Sequence, residues 1–294
     1  MPYYIPAYDT EAIYPWWELG ENPYTASPYQ KAVSYEGEAL RECLDGIRTV
    51  AEVHHKHNAP ATFFLVAKLV ESAPRELRTI LDHPLFDLQC HTYTHCDLYE
   101  TAKDEAALRR ELVDSKKVIE DTFGRTVIGL TTPGAYCEGL HKQQELLETI
   151  WTAGYRYVRS VGKGPFQTVP APLTQPFWYD ADGYPDLLEL ALHAWHDNIL
   201  GGQPFTAHWP PVLPWGYPSK MPATAQEIYE VYAPGIDHIA KNDLTTYIPC
   251  FHPWSIYRAD KNARHIGLLL GHAKRAVSIS SCTSLYEQLR AAKK

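Results

Sequence analysis

The sequence predicts an α/β protein of the barrel class, built from seven or eight strand–helix units in one chain. Short apolar runs alternate with segments of helical periodicity along most of the sequence, which is typical of parallel strands covered by helices. In addition, four polar motifs directly follow apolar runs, and an α/β barrel carries its chemistry at the carboxyl ends of its strands. The length of 294 residues, 45% of them hydrophobic, suffices for one such barrel.

The elements follow from local periodicity and from the residues that end each run. Gly37–His57 has an apolar stripe at helical spacing, and Asp104–Phe123 is a strongly amphipathic helix that ends at Gly124. The other predicted helices are Ser72–Leu81, Gln143–Ala153, Ala223–Lys241 and Asn262–Lys274. The predicted strands are Tyr4–Tyr8, Ala61–Val66, Asp87–Cys90, Val127–Leu130, Tyr155–Ser160 and Thr246–Phe251. The segments Leu187–Leu192, Val277–Ser280 and Ser284–Ala292 complete the series.

We expect residues 1–294 to form a single domain with a proline- and tryptophan-rich insertion around 165–222. Of the 23 prolines, 12 lie between Pro165 and Pro234, and four tryptophans share this stretch. A flexible linker lacks residues so prone to burial, so ordered loops that carry binding function are the expectation.

Composition excludes several classes of protein. The net charge of −8 argues against binding to a nucleic-acid backbone, and no apolar run approaches the ~20 residues that span a bilayer. The first residues have neither a basic region nor an apolar stretch, so we expect a cytoplasmic protein, with a secreted form that has lost its leader left open. The expected partner is a small-molecule or oligosaccharide substrate, and a homo-oligomer is left open.

Histidines and carboxylates supply the first two motifs. His91 and His95 follow a short apolar run, and their i, i+4 spacing would place both imidazoles on one side of a helical turn, able to share one ion. Asp9 and Glu11 follow the first predicted strand, where one carboxylate could bind a metal and the other accept a proton. Each pattern also fits a chance histidine pair or a solvated acidic turn.

The third and fourth motifs follow later strands. His252 stands before Pro253 at a strand end, which suits acid–base work or an ordinary surface histidine. Pro133-Gly134 forms a turn whose free N–H groups could hold an oxyanion.

Together these motifs resemble the polysaccharide deacetylases, also called NodB-homology or carbohydrate esterase family 4 proteins. Ala61–Val66 is similar to the TFF segment of that family, and Leu88–Leu98 to its H-[ST]-x-x-H motif with the following Asp-Leu. Thr131–Gly134, followed by Gly139-Leu140, resembles the third motif, and Phe251–Trp254 the histidine motif of a subgroup that acts on peptidoglycan or cyclic amides. The resemblance implies a distorted (β/α)7–8 barrel of the NodB type and a metal-dependent hydrolase.

The resemblance also implies a role for each matching residue. His91, His95 and Glu11 would be the metal ligands, Asp9 the base, His252 the acid, and the N–H of Gly134 part of an oxyanion hole. The ion would be Zn²⁺, with Co²⁺, Ni²⁺ or Mn²⁺ as alternatives. The substrate-lining residues would be Tyr136, Trp195, His196, Asp197 and Trp254.

Two positions depart from the family pattern. The arginine of the third motif is Thr131 here, and Arg159 could either replace it or form an ordinary surface ion pair. Glu11 stands where the family has aspartate, so which of Asp9 and Glu11 contacts the metal stays open.

The expected reaction is removal of an acetyl group from the amide nitrogen of an N-acetylated sugar. Two alternatives remain, namely hydrolysis of a non-sugar linear or cyclic amide, as in allantoinase-like members, and a non-catalytic carbohydrate-binding barrel.

Overall fold

Seven parallel strands and one antiparallel strand form the central sheet of this computed structural model, which describes residues 1–11, 35–163, 173–194, 220 and 222–293. The strand order is β10-β2-β3-β4-β5-β6-β8-β7, and a separate parallel sheet has the order β11-β1-β9. The strands are β1 (Tyr3–Tyr4), β2 (Ala7–Thr10), β3 (Ala61–Leu65), β4 (Phe86–Cys90), β5 (Gly129–Tyr136), β6 (Tyr157–Val161), β7 (Phe177–Tyr179), β8 (Tyr184–Glu189), β9 (Thr246–Tyr247), β10 (Cys250–Phe251) and β11 (Ser278–Ile279).

Helices connect the parallel strands, as the alternation of the sequence predicts. The described helices are α1 (Gly37–His57), α2 (Ala67–Ser72), α3 (Pro74–Leu81), α4 (Leu98–Thr101), α5 (Glu105–Arg109), α6 (Ser115–Phe123), α7 (Gln144–Thr152), α8 (Ala225–Asn242), α9 (Pro253–Ala259), α10 (Arg264–Ala276) and α11 (Cys282–Lys293). A π-helical turn, Arg110–Asp114, joins α5 to α6. Within the described ranges, no helix is long and apolar enough to cross a membrane.

One backbone bridge joins the two sides of the parallel array. His193, which follows β8, pairs in parallel with Pro249, which precedes β10. The N–H of His193 donates to the Ile248 carbonyl at 2.9 Å, and the N–H of Cys250 donates to the His193 carbonyl at 2.9 Å. Since β10 pairs with β2, this bridge links the β8 side of the sheet to the β10–β2 side.

The two faces of the sheet pack into different apolar clusters. On β3, Phe63 and Leu65 belong to the large cluster shared with the helices. Phe64 points the other way, into a second cluster with Ala7 of β2 and Tyr157 of β6. Alternate residues of a strand face opposite sides of the sheet. Asp9 therefore faces the same side as Ala7 on β2, and Arg159 the same side as Tyr157 on β6, which is the side of the second cluster.

Prolines account for two departures from the predicted elements. The predicted strand Tyr4–Tyr8 divides into β1 and β2 around Ile5-Pro6, and Thr246–Phe251 divides into β9 and β10 around Ile248-Pro249. Proline has no N–H to give to a ladder, so each run changes from one sheet to the other at this point. The helix predicted over Ser72–Leu81 is α3, which begins at Pro74, and α2 before it, Ala67–Ser72, was not predicted.

Candidate metal centre

Glu11, His91 and His95 bring one ligand atom each to a common point at the carboxyl ends of β2 and β4. These atoms all lie within 4.8 Å of one another. The three residues are 0%, 1% and 5% exposed, so the group is almost removed from solvent. Two imidazoles and a carboxylate are a ligand set that suits Zn²⁺ and similar divalent ions.

A loop, and not the expected helical turn, brings His91 and His95 together. Thr92 and His95 both have left-handed backbone conformations, with φ of 62° and 65°. The hydroxyl of Thr92 accepts a hydrogen bond from the His95 N–H at 3.0 Å, which fixes the turn. The two rings meet edge-to-face with centroids 4.6 Å apart. The sequence-based prediction of a shared helical face is therefore wrong, although the two side chains do meet.

Neighbouring strands and helices hold this loop in place. His91 Nδ1 lies 3.0 Å from the Thr131 carbonyl of β5, so Nδ1 carries the proton and Nε2 is left to accept. The carboxylate of Glu111, in the π-helical turn, accepts from the N–H groups of Tyr93 and Thr94, both at 2.8 Å. It also accepts from the Thr94 hydroxyl at 2.7 Å. Such partners orient ligands and tune their affinity for a metal.

Three of the atoms that face the common point lack hydrogen bonds within the described chain. Both carboxylate oxygens of Glu11 and the Nε2 of His91 are buried and unsatisfied. The Glu11 oxygens lie 3.6 Å from His91 Nε2 and 3.0 Å from His252 Nε2. Burying a carboxylate without hydrogen bonds is costly, and a bound cation would remove that cost. Burial and the neighbouring imidazoles also lower the pKa of His95 well below 6.5, so that its ring is neutral and able to bind a metal.

Asp9 lies beside this group and forms a buried ion pair. Its Oδ1 accepts a short hydrogen bond from the guanidinium of Arg159, which is 0% exposed. Arg159 stands directly opposite Thr131 in the β5–β6 register, and its Nε donates to the Thr131 hydroxyl at 3.2 Å. Of the two interpretations left open by the sequence, the surface ion pair is therefore wrong.

The charge of Arg159 keeps Asp9 ionised. Burial alone would raise the pKa of Asp9, but Arg159 outweighs it together with His91, His252 and the Cys250 thiol, and the pKa falls below its ordinary value of 3.8. Asp9 is therefore a carboxylate at neutral pH.

His252 and Cys250 complete the surroundings of Asp9. The three residues offer ligand-type atoms within 4.8 Å of one another. The Cys250 thiol donates to Asp9 Oδ2 at 3.1 Å. The Asp9–Cys250–His252 group adjoins the Glu11–His91–His95 group, because His252 Nε2 lies 3.0 Å from Glu11 Oε1.

Gly134, the predicted oxyanion-hole residue, lies on β5. It lies in an irregular part of β5, where the pairing register with β6 shifts. Thr131 pairs with Arg159, and the next pair along the strands is Tyr136 with Val161. The φ of 64° at Gly134 is one that glycine adopts readily.

Two aromatic side chains expected to line a cleft pack inside the protein. Tyr136 is 7% exposed and stacks on Tyr99, with centroids 3.9 Å apart. Trp254 is 1% exposed, in the first turn of α9, because its large apolar ring fills the interior. Trp195, His196 and Asp197 lie outside the described residues.

Two residues of the site were not anticipated from the sequence. Glu111 sits within a helical pattern and gives no signal of its own, because its role depends on the π-helical turn. Cys250 precedes the His252 motif by two residues, and alternation along a strand would have placed both on one face.

Comparison with known proteins agrees with the resemblance of the motifs. The polysaccharide deacetylase family model matches residues 45–158, a span that contains the TFF, His91–His95 and Pro133-Gly134 motifs. No curated protein matches this chain.

Solved structures share the fold over nearly the whole chain. A candidate polysaccharide deacetylase from Mycobacterium smegmatis has a TM-score of 0.66 and 18% identity, covering 99% of this chain and 90% of its own. The Puue allantoinase has a TM-score of 0.63 and 14% identity, with coverage of 98% and 89%. A candidate polysaccharide deacetylase from Pseudomonas aeruginosa has a TM-score of 0.64 and 14% identity, with coverage of 97% and 89%. At these identities the likeness establishes the NodB-type α/β fold.

Proposed function

We propose that this chain, whose residues 45–158 match the polysaccharide deacetylase model, is a metal-dependent hydrolase that removes an acetyl group from the amide nitrogen of an N-acetylated sugar. The observation that carries the proposal is the buried Glu11–His91–His95 group, with its unsatisfied ligand atoms, next to an ionised Asp9 and to His252. A sugar-binding protein without catalysis needs no such combination of ligands, base and acid.

Glu11, His91 and His95 would hold one divalent ion, for which we propose Zn²⁺, with Co²⁺, Ni²⁺ or Mn²⁺ as substitutes. When bound, such an ion supplies Lewis acidity, which makes water more acidic and polarises an acyl carbonyl. This assignment makes Glu11 the ligand and leaves Asp9 for proton transfer. The ion pair with Arg159 supports that division, because the guanidinium keeps Asp9 ionised and so able to accept a proton.

Asp9 and His252 would move the protons of the reaction. Asp9, ionised at neutral pH, would accept a proton from the attacking water. His252 would donate a proton to the leaving nitrogen, and its ring nitrogen lies within 4.8 Å of a carboxylate oxygen of Asp9. The N–H of Gly134 would donate to the oxygen that becomes negatively charged. The products would be acetate and an amine.

The position of Arg159 favours the hydrolase hypothesis over a non-catalytic carbohydrate-binding barrel. The absence of the third-motif arginine at Thr131 would favour a degenerate, non-catalytic site. The neighbouring strand instead supplies a guanidinium that contacts both Thr131 and Asp9.

The test is acetate release from a panel of N-acetylated mono- and oligosaccharides, with allantoin and simple cyclic amides measured in parallel. We expect release from at least one N-acetyl sugar by the Zn²⁺-loaded protein and none after chelation. Turnover confined to cyclic amides would replace the sugar substrate with the allantoinase-like alternative. Absence of turnover on every compound by metal-loaded protein would contradict the proposal.

A further inference from the structure

The Cys250 thiol lies at the centre of the candidate site, although the proposed reaction does not use it. All six cysteines are free, and Cys250 is 2% exposed on β10. Its Sγ lies 3.1 Å from Asp9 Oδ2 and 3.9 Å from a guanidinium nitrogen of Arg159. The ligand atoms of Asp9, Cys250 and His252 all lie within 4.8 Å of one another.

We propose that Asp9, Cys250 and His252 form a second metal site, selective for thiophilic divalent ions such as Zn²⁺, whose occupancy inhibits the enzyme. The inhibitory part rests on the proposed function, because the ligands of this second ion would be the base and the acid of the reaction.

The ligand types fit this assignment. A thiolate, an imidazole and a carboxylate together are a normal set for Zn²⁺, whereas Mg²⁺ and Mn²⁺ favour oxygen ligands. Glu11 Oε1 lies 3.0 Å from His252 Nε2, so the Glu11 carboxylate adjoins both groups of ligands. The sulfur distinguishes this site from the Glu11–His91–His95 group, which contains none.

The charges around the position also favour a cation. Arg159 binds Asp9 Oδ1, while Oδ2 faces the sulfur, so the two oxygens have separate partners. A metal-bound carboxylate commonly keeps such a partner on its second oxygen. With Cys250 as a thiolate, Asp9 and Cys250 contribute two negative charges to the position and Arg159 contributes one positive charge, so the position is negative before an ion binds.

Binding of an ion at the second site requires the Cys250 thiol to lose its proton. The thiol now donates its hydrogen to Asp9 Oδ2. Binding of an ion breaks the S–H bond, forms a metal–sulfur bond and releases one proton to solvent. The second site should therefore fill after the first, whose ligands lose no thiol proton.

The test is titration of metal-free protein with Co²⁺, followed by ultraviolet absorption, because thiolate ligation gives a sulfur-to-cobalt charge-transfer band. We expect the first equivalent to bind without this band and the second to produce it. The Cys250→Ser protein should bind the first equivalent and show no band. The Cys282→Ser protein, which loses another buried thiol outside both ligand groups, should behave as wild type.

Inhibition is tested with Zn²⁺ by comparing each protein with itself. Wild-type turnover should fall at least about tenfold between one equivalent and a saturating excess, since acid–base groups commonly contribute 10²–10⁴-fold. In Cys250→Ser the same ratio should stay near one.

Three outcomes separate this inference from the proposed function. Excess Co²⁺ without a thiolate band, or a band that persists in Cys250→Ser, overturns the second site and leaves the first intact. A Zn²⁺ excess that inhibits both proteins equally also overturns it. A band on the first equivalent in wild type, with no binding at all to Cys250→Ser, would instead contradict the Glu11–His91–His95 centre.

Discussion

Arg159 shows how a missing motif residue can be replaced across a strand pair. Thr131 and Arg159 are direct partners in the β5–β6 register, so a side chain from either position can reach the same inward point. The guanidinium also lies 4.8 Å above the ring of Phe64, which covers it from solvent. In the proposed reaction Arg159 is therefore a positioning residue, which would act through Asp9.

Replacing Arg159 should change the pH dependence of the reaction as well as its rate. Arg159→Gln removes the charge that lowers the pKa of Asp9, so the acidic limb of the kcat/KM profile should move to higher pH. We expect turnover at neutral pH to fall by roughly 10²-fold, with zinc content unchanged.

Arg159→Lys is the matched control, since lysine keeps the positive charge and lacks only the planar guanidinium group. It should return the acidic limb towards that of wild type. A purely structural role would lower the rate of both variants without moving the limb, which would contradict this account.

At the residue scale, the residue types of the candidate site were predictable and their geometry was not. The spacing of His91 and His95 and the pairing of Asp9 with Glu11 are visible in the sequence. The left-handed conformations of Thr92 and His95, which unite the two imidazoles, have no such signature because threonine and histidine seldom adopt them. The contact between Asp9 and Arg159 joins residues 150 positions apart, so only the fold could reveal it.

Among the elements, the π-helical turn at Arg110–Asp114 has the clearest link to the site. Periodicity predicts one continuous helix over Asp104–Phe123, and the helix does continue, but with a π turn inside it. Such turns are frequent at functional sites, because they redirect side chains from the regular face. Here the turn contains Glu111, which binds the loop between His91 and His95.

Substitution of Glu111 should weaken metal binding without removing a ligand. Glu111→Gln keeps the size of the side chain but cannot accept all three hydrogen bonds, so the loop should become less ordered. We expect zinc affinity to fall by roughly 10–100-fold in competition with a chelator. Glu105→Gln, on the exposed start of α5, is the control. Equal affinities in the two variants would show that Glu111 does not support the centre.

Helix α1 packs against the start of α9 at a glycine. A Cβ on Gly46 would lie 2.4 Å from the carbonyl oxygen of Pro253 and 2.9 Å from the backbone nitrogen of Trp254. Since His252 immediately precedes α9, this contact also helps to fix the proposed acid.

Gly46→Ala should therefore lower the free energy of unfolding, by about 1–3 kcal/mol, because the backbone of α9 cannot yield as a side chain could. Gly271→Ala in α10 is the control, since its Cβ would meet only the Arg275 side chain at 3.8 Å. There the higher helix propensity of alanine should stabilise the protein by up to about 1 kcal/mol. Chemical denaturation checks both values, and a Gly46→Ala protein as stable as wild type would refute the tight contact.

On the scale of the whole molecule, the parallel α/β architecture was predictable, and the position of the bridge between its two sides was not. Alternating strands and helices suffice to indicate a parallel sheet. The bridge between His193 and Pro249 depends on register between distant segments, and the sequence shows only a single predicted strand across Pro249. The side chain of His193 supports the bridge, because Nδ1 accepts from the Ile248 N–H at 2.9 Å.

Buried histidines should make the molecule sensitive to acid. Burial lowers the pKa values of His54, His193 and His265 from 6.5 to about 4. In the unfolded chain these rings take up protons at higher pH than in the folded protein. The free energy of unfolding should therefore decrease as the pH falls from about 6.5 to about 4, by roughly 3 kcal/mol for each residue.

His265 offers the clearest variant for this test, since neither ring nitrogen has a hydrogen bond among the described residues. His265→Leu should reduce the loss of stability between pH 6.5 and 4, measured by denaturation at several pH values. His238→Leu, at an exposed position of α8, should leave that slope unchanged. Parallel slopes for wild type and His265→Leu would contradict the assignment.

The central claim is that Glu11, His91 and His95 bind one divalent ion while Asp9 transfers a proton. The most direct measurement is the zinc retained per chain after metal-free protein is mixed with one equivalent of Zn²⁺ and passed through a desalting column. We predict close to one ion in wild type and in Asp9→Asn, and loss of the ion in His91→Ala. Retention below about a tenth of an equivalent by wild type would contradict the claim, and loss of zinc from Asp9→Asn would exchange the roles of Asp9 and Glu11.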